Sequence, residues 1–296
     1  MKKIYYILSF CLLLSACSGE KPAPVLDTDQ LIEDIRTLSA DDMQGRRVGS
    51  EGNAKARSYI ISRFEEIGLP MYKESYSHNF STTRNNGDLV EGTNIVGMIE
   101  GESDSMIVIS AHYDHLGVRD SLIYNGADDN ASGTSGLLAI ADYFTQVKPK
   151  HTLIFASFDA EEGGLLGARA FVQDSVLLQK VVLNINMDMI SNNDMDELYA
   201  VGTSHYPFLK PVLESIDTAG LTLSFGHDTP DLGYNDWTFS SDHGPFHQKE
   251  IPFVYFGVED HEHYHKATDE FETIPQEFYK KSVQLILNAV LALDKI

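Results

Sequence analysis

The chain has 296 residues, 43% of them hydrophobic and 22% charged, which is enough to bury a full core and excludes a disordered tail. A formal charge of −22 makes it a poor partner for nucleic acid, whose phosphates require Lys and Arg. Its two cysteines, Cys11 and Cys17, both lie near the start, so neither a disulfide scaffold nor a zinc site built on thiolates is available.

Lys2 and Lys3 precede an apolar run from Ile4 to Leu14 that is too short to span a bilayer and fits the core of a signal peptide. The run ends in Leu14-Ser15-Ala16-Cys17, which resembles a bacterial lipobox, where the Cys is acylated and becomes the first residue after cleavage. Residues 1–16 are therefore expected to be a signal peptide. Residues 17–26, with Pro22 and Pro24, are expected to form a lipidated tether. The protein is expected to be exported and held on a bacterial cell-envelope membrane, outer or periplasm-facing, by the lipid on Cys17 alone.

Asp27 or Thr28 can cap a helix through about Leu38, and Ser50 can cap a second from Glu51 to about Ile67, stopped by Gly68. Two short β-like stretches follow, near 73–80 and 94–99. Then come four short apolar runs, 106–111 (MIVISA), 152–158 (TLIFASF), 181–186 (VVLNIN) and 251–256 (IPFVYF), with helical patterns over 132–144 and 164–172 between the first three. Buried strands alternating with helices predict a three-layer α/β/α fold around a mixed, mostly parallel sheet. A last helix from about Pro275 to Leu293 carries an apolar stripe that includes Phe278, Val283, Ile286, Leu287 and Val290. Residues 27–296 fit a single domain.

Ligands bind such sheets outside the carboxyl ends of the strands, and there this chain places its least ordinary residues. The first strand runs into His112-Tyr113-Asp114-His115, and the turn before the helix at 132 is Gly126-Ala-Asp128-Asp129-Asn130-Ala-Ser-Gly133. The next strands run into Asp159-Ala160-Glu161-Glu162, Met187-Asp188-Met189, and Glu259-Asp260-His261-Glu262-His263-Tyr264-His265. Any one of these is an ordinary turn; five on one rim are not explained as solvated loops. Clustered carboxylates repel, and divalent cations offset that cost. His with carboxylate and no Cys suits zinc or a similar ion in a hydrolytic site.

These motifs together resemble the M28 family of zinc aminopeptidases, and Gly45-Arg46 with Gly49-Ser50-Glu51-Gly52 resembles a segment found upstream in that family. The resemblance implies two zinc ions per chain, one held by His112 and Asp188, the other by Glu162 and His265, with Asp129 bridging them. Either Asp128 or Asp129 could bridge on spacing; the family pattern favours Asp129. Glu161 would act as general base on the bridging hydroxide. Asp114 would orient the His112 ring, and Tyr264 would donate to the carbonyl oxygen as it gains charge. A cis peptide after Asp129 is frequent in the family. Larger members carry an inserted protease-associated domain, for which the stretch before Asn94 is too short.

The expected reaction is removal of N-terminal residues from peptides with a free N-terminus. Near the ligands only Lys266 offers a cation to clamp a substrate's C-terminal carboxylate. Alternatives are glutaminyl-cyclase-like or carboxypeptidase chemistry on the same fold, or a non-catalytic metal-binding surface lipoprotein. His261-Glu262-His263-Tyr264-His265 also satisfies H-E-x-x-H, but that chemistry needs a helix, and 258–268 has no helical period. His243, in Ser241-Asp242-His243-Gly244, is expected to line the pocket rather than bind metal.

Overall fold

A computed structural model describes residues 24–83 and 87–296; the leader, with Cys11 and Cys17, lies outside the described residues. Helix α1 (Thr28–Leu38) starts where the Asp27 carboxylate accepts from the Gln30 N–H, and it buries Leu31, Ile35 and Leu38. Helix α2 (Glu51–Glu66) starts where the Ser50 hydroxyl accepts from the Asn53 N–H. Strands β1 (Ser77–Thr83), β2 (Leu89–Ile99) and β3 (Ser103–His112) follow, then a small hairpin of β4 (Gly117–Arg119) and β5 (Leu122–Tyr124). After α3 (Gly133–Thr145) come β6 (His151–Phe158), the short helices α4 (Leu166–Phe171) and α5 (Ser175–Leu178), and β7 (Val181–Met187). The chain continues through β8 (Glu197–Val201), α6 (Leu209–Leu213), β9 (Thr222–Phe225), α7 (His243–His247), β10 (Phe253–Gly257) and α8 (Gln276–Leu293).

Eight strands form one sheet in the order β1-β2-β6-β3-β7-β10-β8-β9. The middle four, β6, β3, β7 and β10, are mutually parallel and are the four apolar runs of the sequence. Residues alternate between faces as the strand period requires. Ile107 and Ile109 of β3 and Leu153 and Phe155 of β6 pack under α1, α2, α3 and α8. Val108, Ile154, Ala156 and Phe158 pack on the other face against Phe171 and Phe246. The fold is therefore α/β/α in three layers.

The outer strands depart from expectation. Strands β1 and β2 are displaced from 73–80 and 94–99, because β2 runs beyond β6 and pairs its polar first half antiparallel with β1. At such an edge only one face needs to be apolar, so no buried run marks it. Strand β9 is the opposite edge and β8 lies between it and β10; both are short and partly exposed, and they too carry no such run. Among the described residues no helix is long and apolar enough to cross a membrane.

Register brings the parallel strand ends level: His112 pairs with Phe158, and Met187 with Phe256. Their exits are tied together by Arg46. Its fully buried guanidinium donates to the carbonyls of Tyr113 (2.8 Å), Leu38 (2.6 Å), Asn125 (2.5 Å) and Gly126 (2.9 Å). Gly45 lets the turn come this close, since a Cβ there would lie 2.3 Å from the Tyr124 carbonyl oxygen, and its φ is +62°. Burial pulls the guanidinium down to about 10, while Asp129, Asp269, Asp114 and Glu162 hold it up, so it remains charged at neutral pH. Arg46→Met leaves three buried carbonyls, those of Leu38, Tyr113 and Asn125, without a donor, since the Gly126 carbonyl still accepts the Ala131 N–H. Each such orphan costs about 1–3 kcal/mol, so the variant is expected to lose at least about 3 kcal/mol in urea denaturation. A loss below about 1 kcal/mol would show that the guanidinium is not what ties these exits together.

Candidate active site

At the end of β3 the His112 ring is buried, with Nδ1 3.1 Å from the Asp114 carbonyl oxygen. A carbonyl only accepts, so Nδ1 carries the proton and Nε2 presents a lone pair. That lone pair faces Asp188 Oδ1 at 3.1 Å and Asp129 Oδ1 at 3.5 Å. Acceptors opposed in this way are tolerated only with a cation between them, either a proton or a metal ion. Burial alone would lower the His112 pKa, but Asp188, Glu161 and Asp129 outweigh it and drive it well above the usual range. The Asp114 carboxylate does not orient the ring as expected. Its Oδ1 lies 3.8 Å from Nδ1 and instead accepts the Glu161 N–H at 2.9 Å, so it is the Asp114 main chain that fixes His112.

The turn before α3 is wholly buried, and its Asp129–Asn130 peptide is cis. Asp269 accepts both the Asp128 N–H (2.9 Å) and the Asp129 N–H (3.0 Å) and so holds the turn from behind. The two neighbouring aspartates then diverge. Asp128 is taken up by the N–H and hydroxyl of Ser191 and by His261 at 3.0 Å. Asp129 faces the cleft, with Oδ1 toward His112 and Oδ2 3.1 Å from His265 Nε2.

After β6, Asp159 accepts from the Asn53 side chain and from the Thr93 and Ala160 N–H groups, which fixes the start of the next turn. Glu161 comes together with His112 and Asp188, one donor atom of each lying within 4.8 Å of the others. Glu162 makes a second such group with Asp129 and His115. Burial, then Asp188, Asp242 and Glu162, raise the Glu161 carboxyl well above the ordinary carboxylate range against the pull of His112. Glu162 is raised by burial too, but both His112 and His265 draw it back. His265 Nε2 is 3.7 Å from Glu162 Oε1, and its half-exposed ring stacks on Tyr264 at 3.9 Å. Burial, with Asp129 and Asp188 beside it, raises the Tyr264 hydroxyl, which stays a proton donor at neutral pH.

All seven residues expected at the centre, His112, Asp129, Glu161, Glu162, Asp188, Tyr264 and His265, therefore meet at one edge of the sheet. Two more belong there that the sequence gave no role. His115 is fully buried, and burial pushes its imidazole down to about 3, so the ring is neutral. Asp242 is also fully buried and neither oxygen has a hydrogen-bond partner. Burial pushes its carboxyl up to about 7, opposed by His112 and reinforced by Asp188. Their burial and long-range neighbours carry no sequence signal; only their place in motif-bearing turns does.

A cleft of about 390 Å³ opens on this cluster. Its floor is Asp129, Glu161, Glu162, Asp188 and His265, and its walls include Leu165, Met189, Trp237, Tyr255 and Val258. No Lys or Arg is among its described lining residues. Lys266 turns to the Glu262 carbonyl, while hairpin β4–β5 brings in a cation the sequence did not announce: Arg119 lies close enough to lower the Glu162 pKa, its guanidinium 5.6 Å from the Tyr124 ring centre. His243 does not line the cleft as expected. It lies beneath the floor, stacked on Tyr255 at 4.6 Å and tied to the Trp237 carbonyl. The segment 258–268 is a run of turns, so His261 and His265 share no helical face, and the H-E-x-x-H match lacks its geometry. A second cleft of about 520 Å³, by Ser50, Arg57, Asn79 and Glu91, gathers no comparable donor group.

The chain spans less than half the length of the curated relatives compared with it. It is 32% identical over 213 residues to the aminopeptidase YwaD of Bacillus subtilis (strain 168), which takes in 67% of this chain and 44% of that protein. The fold matches an aminopeptidase from Aneurinibacillus sp. strain AM-1 at a TM-score of 0.70 and 16% identity, over 90% of this chain and 93% of that one. It matches a Bacteroides thetaiotaomicron glutaminyl cyclase bound to N-acetylhistamine at 0.73 and 18% identity, over 91% of this chain and 99% of that one. Identities this low speak to fold alone. The sequence model of peptidase family M28, in contrast, matches residues 94–290, which hold every residue of the cluster, and the chain belongs to that family.

Proposed function

We propose that this chain is a di-zinc aminopeptidase. The observation that carries the reading is the Asp129 carboxylate, whose two oxygens face two donor groups: His112 with Asp188, and His265 with Glu162. The donors fit divalent ions. They are imidazole and carboxylate without thiolate, His112, Asp129 and Asp188 among them are buried, and their lone pairs oppose one another in a way that only cations relieve. Two ions, when bound, supply a Lewis acid for the scissile carbonyl and a water of lowered pKa.

The protein's own groups do the rest. Glu161, buried beside His112 and Asp188, takes a proton from the attacking water and passes it to the departing amine. Tyr264, at the cleft wall, donates to the carbonyl oxygen as negative charge develops there. The cleft's anionic floor and lack of a lining cation favour a substrate amine over a substrate carboxylate, which supports attack at the N-terminal bond. Arg119 stands close enough to Glu162 to be the residue on which a carboxypeptidase reading would depend. We further propose that Cys17 carries a lipid that holds the exported domain on the envelope membrane.

Glu161→Gln is expected to keep two zinc equivalents and lose about 10²–10⁴-fold in turnover, whereas Glu162→Gln should weaken metal retention. Equal metal content and equal activity loss in the two would refute the division of labour, and full activity after chelation would refute the metal reading. Free peptides should lose single N-terminal residues, and N-acetylated ones should be nearly inert; cyclisation of N-terminal Gln, or release from the C-terminus, would place the enzyme elsewhere in the fold family. His261→Ala should retain zinc in equilibrium dialysis while His265→Ala loses it; the reverse would revive the H-E-x-x-H assignment. Cys17→Ser should move active protein from the membrane to the soluble fraction, and membrane retention would point to another attachment.

A further inference from the structure

His115 has no place in the ligand set that the family resemblance implies, yet it is the most constrained imidazole at the site. Its side chain is fully buried, and neither Nδ1 nor Nε2 has a hydrogen-bond partner. Nδ1 lies 2.8 Å from Glu162 Oε1, which is itself buried and also lacks a hydrogen-bond partner. Two unpaired polar atoms held in contact inside a protein are costly unless something sits against both. The ring's position is enforced by the backbone: a Cβ on Gly126 would lie 2.5 Å from His115 Cδ2, so only glycine lets the ring reach this place.

We propose that His115, through Nδ1, is a further protein ligand at the second metal position, beside Asp129, Glu162 and His265. Zinc holds nitrogen and oxygen donors at about 2.0–2.2 Å, so tetrahedral donors stand about 3.3–3.6 Å apart. His115 Nδ1 is 2.8 Å from Glu162 Oε1 and 3.7 Å from Asp129 Oδ2; His265 Nε2 is 3.7 Å and 3.1 Å from the same two atoms. Those four separations scatter about that edge length; His115, Asp129 and Glu162 already stand within 4.8 Å of one another, and the half-exposed His265 ring, its centre 6.1 Å from that of His115, would swing in to complete the set. The two positions would then differ. His112, Asp188 and Asp129, with Glu161 close by, surround the first; two imidazoles and two carboxylates fix the second, which should fill first and release its ion last.

The inference rests on the two-metal reading, and the test separates the two. Wild-type protein stripped with chelator and titrated with Zn²⁺ should bind two equivalents with distinct affinities; fewer than two would overturn both readings together. With two confirmed, His115→Ala should weaken the tighter equivalent at least ~100-fold, at or beyond the 10–100-fold that loss of a residue supporting a ligand costs. His115→Asn keeps an N–H where Nδ1 stood but is a poor zinc donor. It should not restore binding, and full restoration would show that the ring only hydrogen-bonds Glu162. Wild-type affinity in both variants would show that the ring only packs. Because the variants could unfold, a wild-type measurement stands beside them. The Co²⁺-loaded protein should show three hyperfine-shifted, exchangeable imidazole N–H resonances, from His112, His115 and His265; two would overturn the proposal.

Discussion

Carboxylates buried side by side repel, and the edge of the sheet where four parallel strands end holds Asp114, Asp128, Asp129, Asp159, Glu161, Glu162, Asp188, Asp242 and Asp269 within a few residues of one another in space. Isolated, each such burial costs several kcal/mol, so the architecture depends on how the charge is offset. The acids divide by what they accept. Asp128, Asp159 and Asp269 take main-chain N–H groups from other turns and act as struts between loops. Asp129, Glu162 and Asp188 meet imidazoles and leave their remaining capacity toward the cleft. One class builds the rim and the other faces the cleft.

Arg46 shows how the frame copes with that field. A buried guanidinium ordinarily finds a carboxylate; this one is spent on four carbonyls at the exits of α1, β3 and β5. It fixes the geometry of those turns with directional bonds and adds positive potential behind Asp129 and Glu162 without contacting them. A direct ion pair would satisfy a carboxylate and remove it from the cleft. Holding the charge one layer back leaves the acids open toward the cleft, and a Lys, with three donors and no planar fork, could not make the same four contacts.

The four central strands were legible because both their faces are buried and only unbroken apolar runs satisfy that; the acidic and His-rich turns at their ends were legible because five of them fall on one rim, which ordinary solvated turns do not explain. The edge strands β1 and β9, the short β8 beside β9 and the hairpin β4–β5 were not, since partial burial leaves mixed polarity. The same limit governs the site. His112 and Asp188 stand immediately at strand ends and declare themselves, whereas the split between Asp128 and Asp129 turns on Ser191 and His261, far along the chain. Arg119 is near Glu162 only because an unforeseen hairpin carries it there, and Asp114 contributes through a carbonyl that every residue possesses.

The division among the acids also bears on how the domain is stabilised. A group that binds only the folded state adds RT ln(1 + [L]/Kd) to stability, about 2.7 kcal/mol at a hundredfold excess over Kd. The residues facing the cleft come from five turns spread along the chain from His112 to His265, so the ions they would hold bind the folded arrangement and not the unfolded chain. Repulsion that burdens the empty rim is then the same energy that makes cation binding favourable. Cation binding at the cleft would add a last increment of stability, while the struts Asp128, Asp159 and Asp269 keep the turns in place beforehand. The rim can therefore be preorganised for metal without depending on metal to fold, and this requires two kinds of aspartate next to each other in one sequence.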